Sequence, residues 1–320
     1  MKTLAFSAFC TDNDILLSSS SGGLFSLFAT SILQKNGIVY GASFDKNWNV
    51  YHIPISNIKE LKKIRGAKYV QSRLGDTFLS VKTHLKEGRQ VLFCGTPCQV
   101  YGLKLFLRNT PIDKLLTIDF VCHGVPSSKI WQKYMEGKKD GLSSVNFRNK
   151  RFGWKTYSLR FDYKNGKIKS SVFTYNKYMQ SFIHNYTLRP SCYNCKVKGI
   201  ERNCDITLGD FWGIKNVDGQ MNNLNGVSLI LIHTIKGFLA LRSIQEKIII
   251  KSEDITKSIQ MNPSIVYNAQ IPNKRTQFFS ELETLSFNEL YNKYVANSLT
   301  RLKLLFKGLI KVILFHLKKN

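Results

Sequence analysis

The chain has 320 residues, 43% of them hydrophobic, with 47 Lys plus Arg against 21 Asp plus Glu and a formal net charge of +26. That size and composition allow a large core in one or two intimate domains and exclude a disordered chain. The excess charge suits an anionic partner, or a Lys-rich solvated surface; no Arg/Lys-rich recognition module is present, so nucleic acid is not an expected partner.

The opening MKTLAFSAFC is a brief apolar run that meets Asp12 and Asp14 at once, unlike a signal peptide. Seven cysteines, odd in number and unevenly spaced, suit a reducing cytoplasm and metal-binding thiols better than disulfides. Residues 18–23, SSSSGG, run into LFSLFATSIL, an apolar helix pattern. Serines and glycines there either cap the helix or leave backbone N–H groups free for a phosphate, which makes Ser21, Gly22 and Gly23 candidates.

GIVYGASF (37–44) and VYHIPI (50–55) predict paired strands joined by a turn around Asn47, with Ser56 capping a short helix that ends near Arg65. GAKYVQS (66–72) is a polar, glycine-led loop before a helix from about Asp76. In QVLFCGTPCQVYGLKLFL (90–107) a buried strand precedes a GTPC turn and a helix from Gln99. LLTIDFV (115–121) predicts a second buried strand, ending in CHGVPSS before a helix through Trp131 and Tyr134. Two strand–turn–helix units in succession imply a parallel α/β core. Residues just past the carboxyl ends of such strands line the ligand crevice, and Cys98, Cys122 and His123 fall there.

After about residue 145 the texture changes. TYSLRFDY and KIKSSVFTY flank Asn165-Gly166, a strong hairpin signal. A helix pattern (176–186) then leads into CYNCKVKGIERNCDITLGDFWG (192–213). Cys192 and Cys195 have the spacing that brings two thiolates from one turn to a metal ion or cluster, which is half of a four-ligand shell. Cys94, Cys98 and Cys122 are the sources for the other half, although Cys94 sits on an apolar strand and reads as core; Cys10 reads as a bystander.

VSLILIHT (227–234) predicts one more buried strand, followed by a helix, the strand IIIK and a helix from about Asp254. The expected fold is a mixed, largely parallel α/β sheet core with an inserted β-hairpin and a cysteine-bearing loop region. Its regions are 1–145 and 146–300, sharing one core, and a basic tail at 301–320. In that tail Lys303, Lys307 and Lys311 recur every four residues among Leu, Ile, Val and Phe. This fits an amphipathic helix lying on an anionic membrane surface, or one docked on the domain with its lysines in water.

In this order, SSSSGG before a helix, GAKYVQS, FCGTPCQVYGL, DFVCHGVPS and CYNC followed by DITLGDFWG resemble the coenzyme F420 hydrogenase/dehydrogenase beta-subunit family. The resemblance runs from about Ser18 to Gly213, and more loosely to about 270. It implies a flavin- and iron–sulfur-containing oxidoreductase that passes electrons between a two-electron carrier and one-electron centres. By the same resemblance Cys98, Cys122, Cys192 and Cys195 would ligate a [4Fe–4S] cluster. The loops Ser21–Gly23, Lys68–Gln71 (with Tyr69), Gly95–Thr96 and Asp210–Gly213 would surround FAD.

The same four sulfurs could instead hold a structural zinc. Lys68, Arg202 and the N–H groups near Gly22–Gly23 could neutralise a pyrophosphate, or simply be solvated. Phe211 and Trp212 could stack on an isoalloxazine ring or pack in the core, and His123 could manage a proton or merely pack. Cys204 stands where the family pattern accepts a small non-ligand residue.

Two features depart from the pattern. No CxxCxxCxxxCP ferredoxin run occurs, so electrons would come from a ferredoxin-like protein, an acidic one suiting the positive surface, or from a deazaflavin-type carrier. Ala67 stands where the family often has serine. Bacterial relatives are associated with surface-polysaccharide assembly, which implies a cytoplasmic protein at the inner face of the membrane. The rival expectations are a zinc-stapled anion- or nucleic-acid-binding protein and a catalytically degenerate scaffold.

Overall fold

The structure is a computed structural model that describes residues 1–296. The basic tail, and the membrane-surface expectation placed on it, lie outside the described residues. The strands are β1 (Leu4–Cys10), β2 (Ile38–Phe44), β3 (Val50–Ile55), β4 (Val91–Cys94), β5 (Leu115–Phe120), β6 (Leu142–Asn149), β7 (Ser158–Tyr163), β8 (Ile168–Val172), β9 (Ile206–Asp210), β10 (Ser228–Ile232) and β11 (Ile248–Glu253).

Eight of them form one mixed sheet in the order β11-β1-β10-β9-β5-β4-β2-β3, and β6-β7-β8 form a second, antiparallel sheet. The centre of the large sheet is parallel, through the pairs β2/β4, β4/β5 and β5/β9. Antiparallel pairs complete both flanks. This is the mixed α/β core that the strand–turn–helix order predicts, with its parallel part in the four central strands β2, β4, β5 and β9.

Both faces of the sheet are covered, and the strands read accordingly. Val39 and Leu92 point into the core beneath the helix Leu24–Leu33, whereas their neighbours Ile38, Tyr40, Val91 and Phe93 enter the core beneath the helices Thr77–Lys86 and Pro97–Phe106. A strand buried on both faces needs a continuous apolar run, and all five residues of β10 are buried. A third core is mostly aromatic, with Trp131, Phe147 and Tyr178 packed between the small sheet and the helices Ser128–Tyr134 and Lys177–Ile183.

Two strands are added to the expected set and one local expectation is corrected. The opening TLAFSAFC supplies β1, paired on both sides by β10 and β11, because its alternating residues fit a sheet position that only a distant segment can complete. The Asn165-Gly166 hairpin gains a third strand, β6, so the insertion is a sheet and not a lone hairpin. The short helical stretch before Arg65 is capped by Asn57, whose side chain accepts from the Glu60 N–H, and not by Ser56. Asn47 does lie in the β2–β3 turn, where its N–H donates to the Asp45 carboxylate.

Candidate functional site

A cavity of about 560 Å³ opens at the carboxyl ends of the parallel strands β4, β5 and β9, where an open α/β sheet presents its crevice. Its wall is built from the ends of those strands, the loops 19–26 and 64–72, and Arg148 from the small sheet. Four cations line it, Arg65, Lys68, Arg148 and Arg189, against one carboxylate, Asp210, among the described residues.

At one end stand the thiols. Cys98 follows β4 in the first turn of the helix Pro97–Phe106, with the Thr96 hydroxyl 3.1 Å from its sulfur. Cys122 follows β5, and the loop after it runs beside the segment before the CxxC. Arg189 N–H donates to the Val125 carbonyl at 3.0 Å, Ser127 N–H donates to Thr187 at 2.8 Å, and Val125 N–H donates to Cys192 Sγ at 3.3 Å. Those bonds carry Cys192 and Cys195, on the short 3₁₀ turn Pro190–Asn194 and just after it, to the end of β5.

The four thiols lie within electrostatic reach of one another. Burial pushes the Cys122 thiol up to about 12, opposed by Lys198 and reinforced by Cys192, Cys98 and Cys195. Burial likewise raises the Cys192 thiol, the Val125 N–H opposes it, and Cys98 and Cys195 add to it. Lys198 donates to the Cys122 carbonyl and, at 2.5 Å, to the Ser264 carbonyl, which sets a cation beside the thiols. Among the described residues no three His, Cys, Asp or Glu side chains are grouped closely enough to hold a single metal ion. Of the four thiols Cys98 is exposed and the others are partly buried.

At the other end lies the serine–glycine loop. Gly22 could carry no side chain, since a Cβ there would come within 2.5 Å of the Ala8 carbonyl and 2.8 Å of the Ser228 nitrogen. Its N–H is already given to Ser228 Oγ at 3.0 Å, so it is not one of the free donors the sequence suggested. Gly23, at φ 88°, starts the ten-residue helix Leu24–Leu33, which no side chain caps and whose first turn opens on the cavity. Ser21 donates to the Val227 carbonyl, and buried Lys150 donates to the carbonyls of Leu16, Ser21 and Asn225, so the loop is held from below.

The remaining candidates divide. Lys68, Tyr69, Gln71, Gly95, Thr96, Asp210, Trp212 and His123 line the cavity with Ser21, Gly23, Cys98 and Cys122. Burial lowers the Lys68 pKa to about 8, with the Cys94 thiol acting the other way. Trp212 lies flat on Trp154, with centroids 4.9 Å apart and planes 7° apart. Phe211 does not line the cavity; it is fully buried in the core with Trp154 and Leu229, and Gly213 is likewise absent from the wall. Arg202 is also elsewhere, in a buried ion pair 3.4 Å from Asp119, so it is not available to a ligand. His123 is held on both ring nitrogens: Nε2–H donates to Asn185 Oδ1 at 2.7 Å, and Ser264 donates to Nδ1 at 3.4 Å.

Sequence reasoning missed Arg148, Arg65 and His52. Arg148, from β6, donates to Asp210 at 2.8 Å and to the Ser20 carbonyl at 3.2 Å, and its guanidinium lies 3.9 Å over the Tyr157 ring. His52 donates from Nε2 to the Cys94 carbonyl at 3.0 Å and accepts from Ser72 at Nδ1. An isolated Arg in NFRNK or His in VYHIPI carries no local signal; only the topology brings either to the cavity.

A doubly covered α/β sheet with a crevice at its strand ends defines a ligand-binding class of fold. The family model for the C terminus of the coenzyme F420 hydrogenase/dehydrogenase beta subunit matches residues 88–258. The chain belongs to that family, and with it to an oxidoreductase lineage. Among solved structures, one from a xenon derivatization of the F420-reducing [NiFe] hydrogenase complex of Methanosarcina barkeri is similar. It has 18% identity and a TM-score of 0.54, with 91% of this chain and 89% of that chain covered, a likeness of fold. No curated protein matches the chain.

Proposed function

We propose that this chain is an oxidoreductase that uses FAD and one [4Fe–4S] cluster, held by Cys98, Cys122, Cys192 and Cys195. The observation that carries the reading is that two of those thiols, Cys98 and Cys122, stand in the wall of the same cavity as the serine–glycine loop, Lys68 and Trp212. The donor set fits the cluster: four thiols from three segments, with the Val125 N–H already aimed at one sulfur and Lys198 alongside.

The cavity fits a flavin dinucleotide in the same sense, having cations for its diphosphate and Tyr69 and Trp212 as flat apolar walls. Bound together, the two groups would supply exchange between two-electron and one-electron chemistry. The chain's own part is to hold both groups at one crevice, to exclude water with the aromatic wall, and to offer His123 Nδ1 for a proton once Ser264 turns away.

One-electron exchange would need a partner, and a ferredoxin-like protein or deazaflavin-type carrier fits the cationic surface. By resemblance alone, the substrate would be a carbonyl-bearing or unsaturated group on a glycan or lipid intermediate of surface-polysaccharide assembly. No helix among the described residues is long and apolar enough to cross a membrane.

The test is anaerobic purification with absorption spectroscopy and assays of iron, acid-labile sulfide and flavin. About four irons and one flavin per chain are expected. A colourless protein with one zinc per chain would overturn the reading in favour of the zinc-stapled binder.

A further inference from the structure

We propose that Arg148, with the uncapped start of the helix Leu24–Leu33, forms the diphosphate-binding end of the cavity. The assignment rests on the flavin-dinucleotide reading above and names the residue that recognises the anion.

Arg148 is 4% exposed and its side chain lines the cavity. Its guanidinium gives hydrogen bonds to Asp210 and the Ser20 carbonyl and has the Tyr69 and Tyr157 hydroxyls beside it, while its buried Nε has no partner of hydrogen-bonding geometry. A guanidinium has five donors and no acceptor, and a buried donor left unmade costs on the order of 1–3 kcal/mol. A wall of the cavity that keeps such a donor is built for an acceptor that arrives with a ligand. The Asp210 carboxylate outweighs burial and raises the pKa of Arg148, so the group is cationic at any working pH.

The second observation is the helix. Gly23 begins it in the left-handed region, no side chain accepts from its first N–H groups, and Gly23, Leu24 and Phe25 line the same cavity. Ser20, which accepts from Arg148, lies only three residues before Gly23, so the cation and the helix start share one corner. An N-terminal helix dipole and a planar cation side by side favour a group with two adjacent negative charges over a neutral one.

Arg65 and Lys68 are the rival cations. Arg65 also keeps a buried Nε with no partner, but its Nη1 is given to the Ser18 hydroxyl at 2.7 Å, further along the chain from Gly23 than Ser20. Lys68 differs in another respect. Its Nζ already gives two of its three N–H groups, to the carbonyls of Arg65 and Gly66, both at 3.2 Å. The structure therefore assigns recognition to Arg148, with Lys68 as background charge.

The experiment uses the full-length protein after flavin removal, with inorganic pyrophosphate, ADP and adenosine as probes. Binding is read from the ligand-induced shift in melting temperature and from quenching of tryptophan fluorescence, since Trp212 lies 5.4 Å from the Arg148 guanidinium. Pyrophosphate and ADP should bind and adenosine should not. Arg148→Lys, which keeps the charge but loses the Nε–H and the fork, should weaken ADP about tenfold, and Lys68→Met should weaken it less. The melting temperature of each variant without ligand reports folding separately.

Wild-type affinity in Arg148→Lys, a larger loss in Lys68→Met, or no response of the parent protein to either phosphate probe would overturn the assignment. The two levels fail separately. A protein without flavin or iron that still binds ADP through Arg148 sinks the redox reading and spares the anion site. A flavoprotein whose ADP affinity ignores Arg148 does the reverse.

Discussion

At one end of the cavity Cys98 and Cys122 each follow a parallel strand directly, and Cys192 and Cys195 share one short turn. At the other, Arg148 comes from a strand of the small sheet, Arg65 from the end of a short helix, and Gly23 from the start of a longer one. The thiol end is made of motifs whose members lie within a few residues of a strand end, so local sequence carries their chemistry. The basic end is made by topology, from single residues whose neighbours in sequence say nothing about an anion. A CxxC pair brings two ligands to one point from a single turn and so is visible in sequence, whereas cations act over several ångströms and can be gathered from anywhere.

The largest effect should come from breaking the thiol end alone. Cys192→Ser removes the sulfur that accepts from Val125 N–H, and Cys122→Ser removes one of the two candidate ligands that line the cavity wall. Either should reduce bound iron to background in an anaerobic preparation. Flavin should remain at close to one per chain, because the basic end keeps all its contacts. Simultaneous loss of both groups would show that the two ends are a single unit and would break the comparison.

Lys150→Met tests the basic end in the converse way. Three carbonyls, those of Leu16, Ser21 and Asn225, depend on its Nζ, and the side chain is 7% exposed. Leaving buried acceptors unmade should lower the unfolding free energy by about 4 kcal/mol in urea titrations and weaken flavin retention. Iron content of the folded fraction should hold. An unchanged urea midpoint would remove Lys150 from the support of the serine–glycine loop.

These asymmetries explain what the sequence makes legible. The parallel core, the CxxC, the GTPC turn and the strand-end position of Cys122 follow from periodicity and turn chemistry. β1 does not, because TLAFSAFC becomes a strand only when β10 and β11, more than two hundred residues later, flank it. Phe211 and Arg202 look alike to a site-seeking reading and fail for one reason. The segment that carries them also has to anchor itself, Phe211 in the core and Arg202 on Asp119. Arg148 was invisible for the opposite reason: its partners Asp210, Ser20 and Tyr157 are scattered along the chain, and no spacing rule joins them.

His52 belongs to neither end and gives the smallest expected effect. Its ring stacks on Phe93 at 5.3 Å and donates to the Cys94 carbonyl, so it is neutral in the fold and bridges β3 to the end of β4. Burial lowers its pKa to about 4, as burial also does for His233. The unfolded chain, with a histidine pKa near 6.5, binds the proton first as pH falls. Each of these histidines therefore contributes stability that is complete above about pH 6.5, is lost between there and about 4, and changes no further below.

The size is on the order of 3 kcal/mol for each. Urea titrations from pH 7 to 4 should show that decline, and His52→Gln should remove the His52 share of it while His233, together with His123 and His184 whose pKa burial also lowers, supplies the rest. A pH slope that His52→Gln leaves unaltered would mean that the imidazole is already charged in the fold. The Cys94 carbonyl would then face a cation shared with Lys68, and the strand between the two ends would belong to the basic one.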